Sequence, residues 1–163
     1  MSLTIRPAMP DDAAAMCAVL NPIIEAGGTT AHQRPFDADR MVRHYIKPDR
    51  LIACHVAMLD GQVAGFQFLG WPGGDDLPEG WASIASFVSG DAAGRGVGRA
   101  LLEATRAAAR ASGVRSIDAT IRADNASGLG YYSKMGFVDY DRATGVPLRD
   151  GTKVDRIMKR YDL

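Results

Sequence analysis

The chain's 163 residues suit one domain spanning 1–163, and 47% hydrophobic and 23% charged residues are ordinary for a globular protein. Lys plus Arg equals Asp plus Glu, 19 of each, so the net charge is zero, which argues against a nucleic-acid partner because that needs a basic surface. The opening MSLTIRPAMPDD has no signal-peptide pattern, and no stretch reaches the roughly 20 apolar residues of a membrane span. Cys17 and Cys54 each sit in an apolar segment as reduced thiols, so the expected location is cytoplasmic with no membrane partner.

Leu3 to Arg6 reads as a short strand ended by Pro7 and Pro10. Asp11 or Asp12 caps a helix running to about Ala26, with Met16, Val19, Leu20, Ile23 and Ile24 on one face and Pro22 expected to kink or divide it. Gly27-Gly28 ends it, and Asp37 caps a second helix from Ala38 to about Ile46, stopped before Pro48. Leu51 to Leu59 and Gln62 to Leu69 form a hairpin about Asp60-Gly61, and Gly65 points to a bulge in its second strand. A polar loop, 71–80, leads to a strand from Trp81 to Val88. Val97, Leu101, Ala104 and Ala108 then line one face of a long helix stopped at Gly113. Val114 to Ile121 is a strand, Asn125 to Met135 a helix, and Phe137 to Asp141 and Thr152 to Tyr161 the last two strands. This order indicates a mixed α/β sheet covered by helices.

Between the Trp81–Val88 strand and the long helix lies SGDAAGRGVGRA, residues 89–100. A glycine-rich turn into a helix is an anion site, because the first helical N–H groups lack intrahelical partners and the dipole adds positive charge. Arg95 and Arg99 can add charge-assisted bonds at its rim. The alternative is a tight connection whose glycines serve local geometry alone. A nucleotide P-loop would need Lys and Ser or Thr where the helix opens Gly98-Arg99-Ala100, and a dinucleotide fingerprint would need a different third glycine directly after the strand.

Ala93-Gly94-Arg95-Gly96-Val97-Gly98 resembles the Gln/Arg-x-x-Gly-x-Gly/Ala loop of the GNAT superfamily of N-acetyltransferases. Gly96 and Gly98 match, and Ala93 stands where that family has Gln or Arg. Asn125-x-x-Gly128-x-x-Tyr131-Tyr132-x-Lys134-x-Gly136-Phe137 is similar to the family's second signature. The likeness covers nearly the whole chain. Local similarity over Asn21 to Pro35 and the Asp155-x-x-x-x-Arg160 ending is nearest to the phosphinothricin and methionine-derivative acetyltransferases. The resemblance implies a GNAT-like mixed, mostly antiparallel, twisted sheet of six to seven strands with about four helices. It implies acetyl-CoA or CoA as cofactor, its pyrophosphate on Ala93 to Arg99, its arm along Phe87 and Val88, and Asn125, Tyr132 and Lys134 on its far side. A small-molecule amine partner and a homodimer follow from the same likeness.

Acetyl transfer to an amine needs a proton for the departing thiolate, and the resemblance gives that role to Tyr132. A phenol near pKa 10 protonating a thiolate whose acid lies near 8.5 is uphill by only about 2 kcal/mol. Tyr131 and Tyr132 as packing residues, and Asn125 as a helix cap, are the plainer readings. The strand glutamate that serves as base in many relatives is absent near Ser83, which leaves Ser83 with ordered water, or the loop acids Asp75, Asp76 and Glu79. His32, His44 and His55 lack ligand spacing, so no metal site is expected. His32, Phe36, Trp71 and Trp81 are candidate acceptor contacts, partial core burial being as good a reading for each tryptophan, and Arg34 is a candidate for a substrate carboxylate. A protein or peptide N-acetyltransferase with an open groove, and a non-catalytic acyl-CoA sensor, remain alternatives.

Overall fold

A computed structural model describes residues 2–73 and 77–163. Turn chemistry sets the centre of the sheet. Asp60 and Gly61 adopt φ of 52° and 81° and join β2 (Leu51–Leu59) to β3 (Gln62–Gly70) as an antiparallel hairpin. Its register steps from Ala57–Gly65 to Met58–Val63, so Ala64 is the extra residue of the bulge that Gly65 announced. β1 (Leu3–Pro7) pairs with the outer side of β2. β4 (Trp81–Val88) pairs antiparallel with β3, and β5 (Ser116–Arg122) then runs parallel to β4. β6 (Val138–Pro147) and β7 (Lys153–Asp162) complete seven strands in the order β1-β2-β3-β4-β5-β7-β6.

α1 (Ala13–Ala26) and α2 (Ala38–Met41) cover one face, where Met16, Leu20, Met41 and Phe66 are fully buried. α3 (Val97–Ala111) and α4 (Ala126–Lys134) contribute to the opposite core with Leu102, Ile117 and Tyr132. Asp37 caps α2 by accepting the Arg40 N–H at 2.8 Å. The helix then widens into a π turn over Val42–Ile46, closed by Lys47 N–H to Val42 O at 2.7 Å.

Apart from one-residue shifts at strand ends, four features differ from the sequence reading. α1 runs unbroken through Pro22. Asp12 closes a 3-10 turn instead of capping α1: it accepts the Met9 N–H and a two-pronged Arg6 guanidinium, each bond 2.8 Å, and so ties β1 to the helix start. β5 starts at Ser116 because the Val114 N–H still satisfies the end of α3 at Ala109 O, 3.0 Å away. β6 continues six residues past Asp141 because β7 pairs with it as far as Lys153 and Asp155 holds Arg142 and the Gly145 N–H.

Candidate active site

β4 and β5 are hydrogen-bond neighbours only from Trp81–Ser116 to Ser83–Asp118, after which they part. Since Ser89 N–H bonds Ala64 O on β3, alternation turns the backbone groups of Ile84, Ser86 and Val88 towards the opening. Phe87 instead turns its backbone to β3, and its ring packs beside Phe66 and Tyr45 in the core under α1, at 5.2 and 5.8 Å. Gly65 permits this close strand approach: a Cβ there would lie 2.8 Å from Phe87 O. The wedge widens into a cavity of about 670 Å³ bounded by β4, β5, the glycine loop, α4 and the α1–α2 loop.

At one end is the glycine loop. Gly94 and Gly96 hold φ of 76° and 80°, the left-handed region that favours glycine, and a Cβ on either would meet nothing within 4 Å. Their amides have no acceptor among the described residues. Those of Val97, Gly98 and Arg99 precede the first bond of α3, Ala100 N–H to Gly96 O at 3.0 Å. Five open amides at a helix start, in open space, fit a diphosphate. Gly98 differs: a Cβ there would lie 2.7 Å from the Tyr131 ring, whose hydroxyl donates to Gly98 O at 2.7 Å. Arg95 and Arg99 project outside the loop, exposed.

On the α3–α4 side a buried polar chain reaches the cavity. Thr105 Oγ1 donates to Gln67 Oε1 (2.5 Å), Gln67 Nε2 donates to Ser86 Oγ (2.8 Å) and Tyr131 Oη (3.2 Å), and Ser86 Oγ lies 2.7 Å from Tyr132 Oη. Thr105 and Gln67 are fully buried. Fixing the Gln67 amide leaves the Ser86 proton free to face Tyr132. Burial pushes the Tyr132 phenol well above its ordinary value, the Ser86 bond opposing and the Tyr131 and Asp118 charges adding, so Tyr132 is held protonated at Oη.

The other end is closed. Arg122 donates to Thr30 O (3.1 Å) and Asn125 to Thr29 O (3.0 Å), so the α1–α2 loop is fastened across the opening to β5 and α4. Asn125 also caps α4 by accepting Gly128 N–H at 2.9 Å. His32 lines this end, 2.6 Å from Tyr45 Oη. Burial, then the charges of His44 and Arg40, bring its pKa down to about 4, so the ring is neutral at neutral pH. Among the described lining residues the charged side chains are Arg122 and Arg156, and no carboxylate. Arg122 is paired with Asp124 at 2.8 Å, whereas Arg156 makes no side-chain bond to a described residue.

The structure thus brings together Phe87, Val88, Ala93, Gly94, Gly96, Val97, Gly98, Asn125, Tyr132 and His32. Phe36 stands behind His32, buried, their rings 4.9 Å apart and Arg40 over its other side at 3.8 Å. Ser83, Arg34, Lys134, Arg95, Arg99 and Trp71 are not in the wall; Trp71 is exposed at the end of β3, and Trp81 is buried against Tyr140 at 5.3 Å. Asp75 and Asp76 lie outside the described residues, and Glu79 does not reach the cavity. Gln67, Ser86, Thr120 and Arg156 were not singled out from sequence. A glutamine inside the apolar run Gly65 to Leu69 is the signal that could have exposed the polar chain.

The sequence pattern of the acetyltransferase (GNAT) family matches residues 20–137. The chain belongs to this family. A protein assigned as a phosphinothricin N-acetyltransferase is 26% identical, with 99% of each chain covered and a TM-score of 0.83. The phosphinothricin acetyltransferase of Sinorhizobium meliloti, solved in complex with acetyl-CoA, is 20% identical over 100% of this chain and 89% of that one, at TM-score 0.85. The ribosomal-protein-alanine N-acetyltransferase of Brucella melitensis is 23% identical over 98% and 99%, at TM-score 0.81. No curated protein matches the sequence. The GNAT protein is thus an acetyltransferase of the family that draws its acyl group from acetyl-CoA.

Proposed function

We propose that this GNAT protein acetylates the primary amine of a small molecule that also carries an acidic group, an amino-acid analogue of the phosphinothricin or methionine sulfoximine kind. The observation that carries this reading is the closed acceptor end, where the α1–α2 loop fastened by Arg122 and Asn125 leaves room for a small molecule and Arg156 lines the wall with no side-chain partner among the described residues. An open groove for a polypeptide would need that loop released. The phosphinothricin acetyltransferases among the similar structures support the small acceptor, and the ribosomal-protein enzyme supports the alternative.

When bound, acetyl-CoA supplies an acetyl group activated as a thioester. The open amides of Gly94 and of Gly96 to Arg99 would hold its diphosphate, and the inward backbone of Ile84, Ser86 and Val88 its arm. Tyr132 holds a proton at Oη for the leaving sulfur, and Ser86 Oγ, supported by Gln67 and Thr105, orients that phenol. Arg156 holds the acid group of the acceptor, the role first sought at Arg34, and neutral His32 can accept a hydrogen bond from its amine. Exposed Val138 and Tyr140 on edge strand β6 support a homodimer. The reduced, buried Cys17 and Cys54, the latter thiol pushed up to about 12 by burial, support a cytoplasmic location. No helix of the described residues is long and apolar enough to cross a membrane.

Thiol release from acetyl-CoA, measured with phosphinothricin, methionine sulfoximine, a decarboxylated amine and a peptide, tests the proposal. The acidic amines should turn over and Arg156→Gln should raise their KM at least tenfold. Preference for the peptide would refute the small acceptor, and heat with CoA but no thiol release with any amine would leave an acyl-CoA sensor.

A further inference from the structure

The cavity wall carries no carboxylate among the described residues, yet a buried one lies a single hydroxyl away. Asp118 is on the last rung that β5 shares with β4, opposite Ser83, and is 5% exposed. Its Oδ2 accepts the Thr120 hydroxyl at 2.8 Å and its Oδ1 the Tyr140 hydroxyl at 2.6 Å. Thr120, two residues along the same strand face, lines the cavity. Asp118 has no cation partner among the described residues: Arg160, its register neighbour on β7, is drawn to Asp162 at 2.9 Å and lies over the Trp81 ring. The titratable and charged groups facing Asp118 are Tyr140 from β6, Arg160 from β7 and, across the opening, Tyr132 from α4, whose phenol feels the Asp118 charge.

We propose that Asp118, acting through Thr120, takes the proton lost by the acceptor amine. The inference rests on the transfer to an amine proposed above. The amine N–H bond breaks and its proton passes to Thr120 Oγ1, while the proton Thr120 already carries passes to Asp118 Oδ2. The N–H electron pair stays on nitrogen for the new C–N bond. The net change at the protein is one new O–H bond on a carboxylate that has become neutral. Burial pushes the Asp118 pKa up, its two hydrogen-bond donors opposing, so the relay ends on a group whose proton affinity exceeds that of an ordinary aspartate. Tyr140, 37% exposed, donates to the other carboxylate oxygen and fixes the orientation of the Asp118 carboxylate. Asp118 is a positioning and proton-accepting residue one hydroxyl behind the substrate, and Thr120 is the catalytic residue that touches it.

The test compares Asp118→Asn, Thr120→Val and Thr120→Ser with the wild-type protein on an amine that the wild type turns over. Thr120→Val, at an exposed position, should fold, and should lower kcat about 100-fold with the KM for acetyl-CoA within twofold and the acid limb of the kcat/KM profile lost. Thr120→Ser should restore both, and Asp118→Asn should match the valine variant. A second readout needs no turnover: infrared titration of the free protein, with the Asp118 carboxyl band identified by its loss in Asp118→Asn. That band should titrate at higher pH in Thr120→Val, which removes a donor to the charged form. Wild-type kcat and pH profile in Thr120→Val, or an unmoved carboxyl titration, would overturn the relay. A wild-type protein that acetylates no amine at any pH would instead remove the function proposed above, and the relay with it.

Discussion

Replacing Gly98 with alanine separates two jobs that a glycine loop can do. Gly96 has a left-handed backbone and free space around it, whereas Gly98 is helical and its missing Cβ is the space the Tyr131 ring occupies, 2.7 Å from Cε1 and 3.3 Å from Cζ. That ring cannot swing away cheaply. Its hydroxyl is bonded to Gly98 O at 2.7 Å and accepts from Gln67 at 3.2 Å, and the ring packs edge-to-face with Tyr132, centroids 4.8 Å apart. Overpacking costs about 1–3 kcal/mol and the strained hydroxyl bond about 1 kcal/mol. Alanine returns about 1 kcal/mol of helix propensity. The net is a loss of about 2 kcal/mol, or roughly 4–8 °C in Tm for a domain of this size. Thermal unfolding followed by circular dichroism measures it, with calorimetry against CoA alongside. Gly98→Ala combined with Tyr131→Leu should recover stability relative to Gly98→Ala alone, because the obstacle is gone. If Gly98→Ala melts with the wild type, or the second change brings no recovery, Gly98 is not a packing glycine.

Tyr132→Phe should lower kcat by about 100-fold or more while leaving the Kd for CoA within twofold, and unchanged turnover in the thiol-release assay would remove the phenol from the chemistry. Gly65→Ala places a Cβ 2.8 Å from backbone Phe87 O, which cannot rotate aside; urea denaturation should show a loss of about 2–3 kcal/mol. His32 gives a pH signature: its folded pKa of about 4 lies below the ordinary 6.5, so between those values the unfolded chain binds a proton that the folded one refuses. Stability attributable to His32 is full above pH 7 and falls as pH drops towards 4, by about 2 kcal/mol after allowance for its partial exposure. His32→Gln should flatten that slope in urea midpoints measured across the window, and an identical slope would assign it elsewhere.

How much of this could be read from the chain follows from where each signal resides. The hairpin was legible because Asp60-Gly61 tolerates positive φ, and the cradle because its glycines directly precede the α3 pattern. Both are local. The wedge between β4 and β5 was not legible from composition, since nothing in Trp81 to Val88 says that its pairing with the parallel partner ends at Ser83. Gln67 and Ser86 touch residues on α3 and α4 between 38 and 64 positions away. Arg156 enters the cavity because β7 inserts between β5 and β6 and aligns Arg156 with Arg122. Arg34 is a candidate for the acid group by its loop position, but its side chain is exposed and its carbonyl serves Arg40 at 2.9 Å. Trp71 drew attention as a large aromatic beside the site, yet the end of β3 carries it outward.

The placement of charge around the cavity has one physical logic. An acceptor carrying an acid group is drawn to Arg156 and meets a neutral His32 and a protonated Tyr132. A base in the wall would be a second anion beside that acid group. At an effective dielectric of about 20, two like charges cost about 4 kcal/mol at 4 Å and half that at 8 Å. Setting the carboxylate back behind Thr120 therefore saves about 2 kcal/mol of binding while keeping a proton path of one hydroxyl. The same arithmetic predicts what Thr120→Asp combined with Asp118→Asn does. Moving the carboxylate into the wall should raise the KM of an acidic amine by about thirty-fold and leave that of its decarboxylated counterpart nearly unchanged, in the thiol-release assay. Equal shifts for the two acceptors would show that Arg156 does not hold an acid group at this end of the cavity.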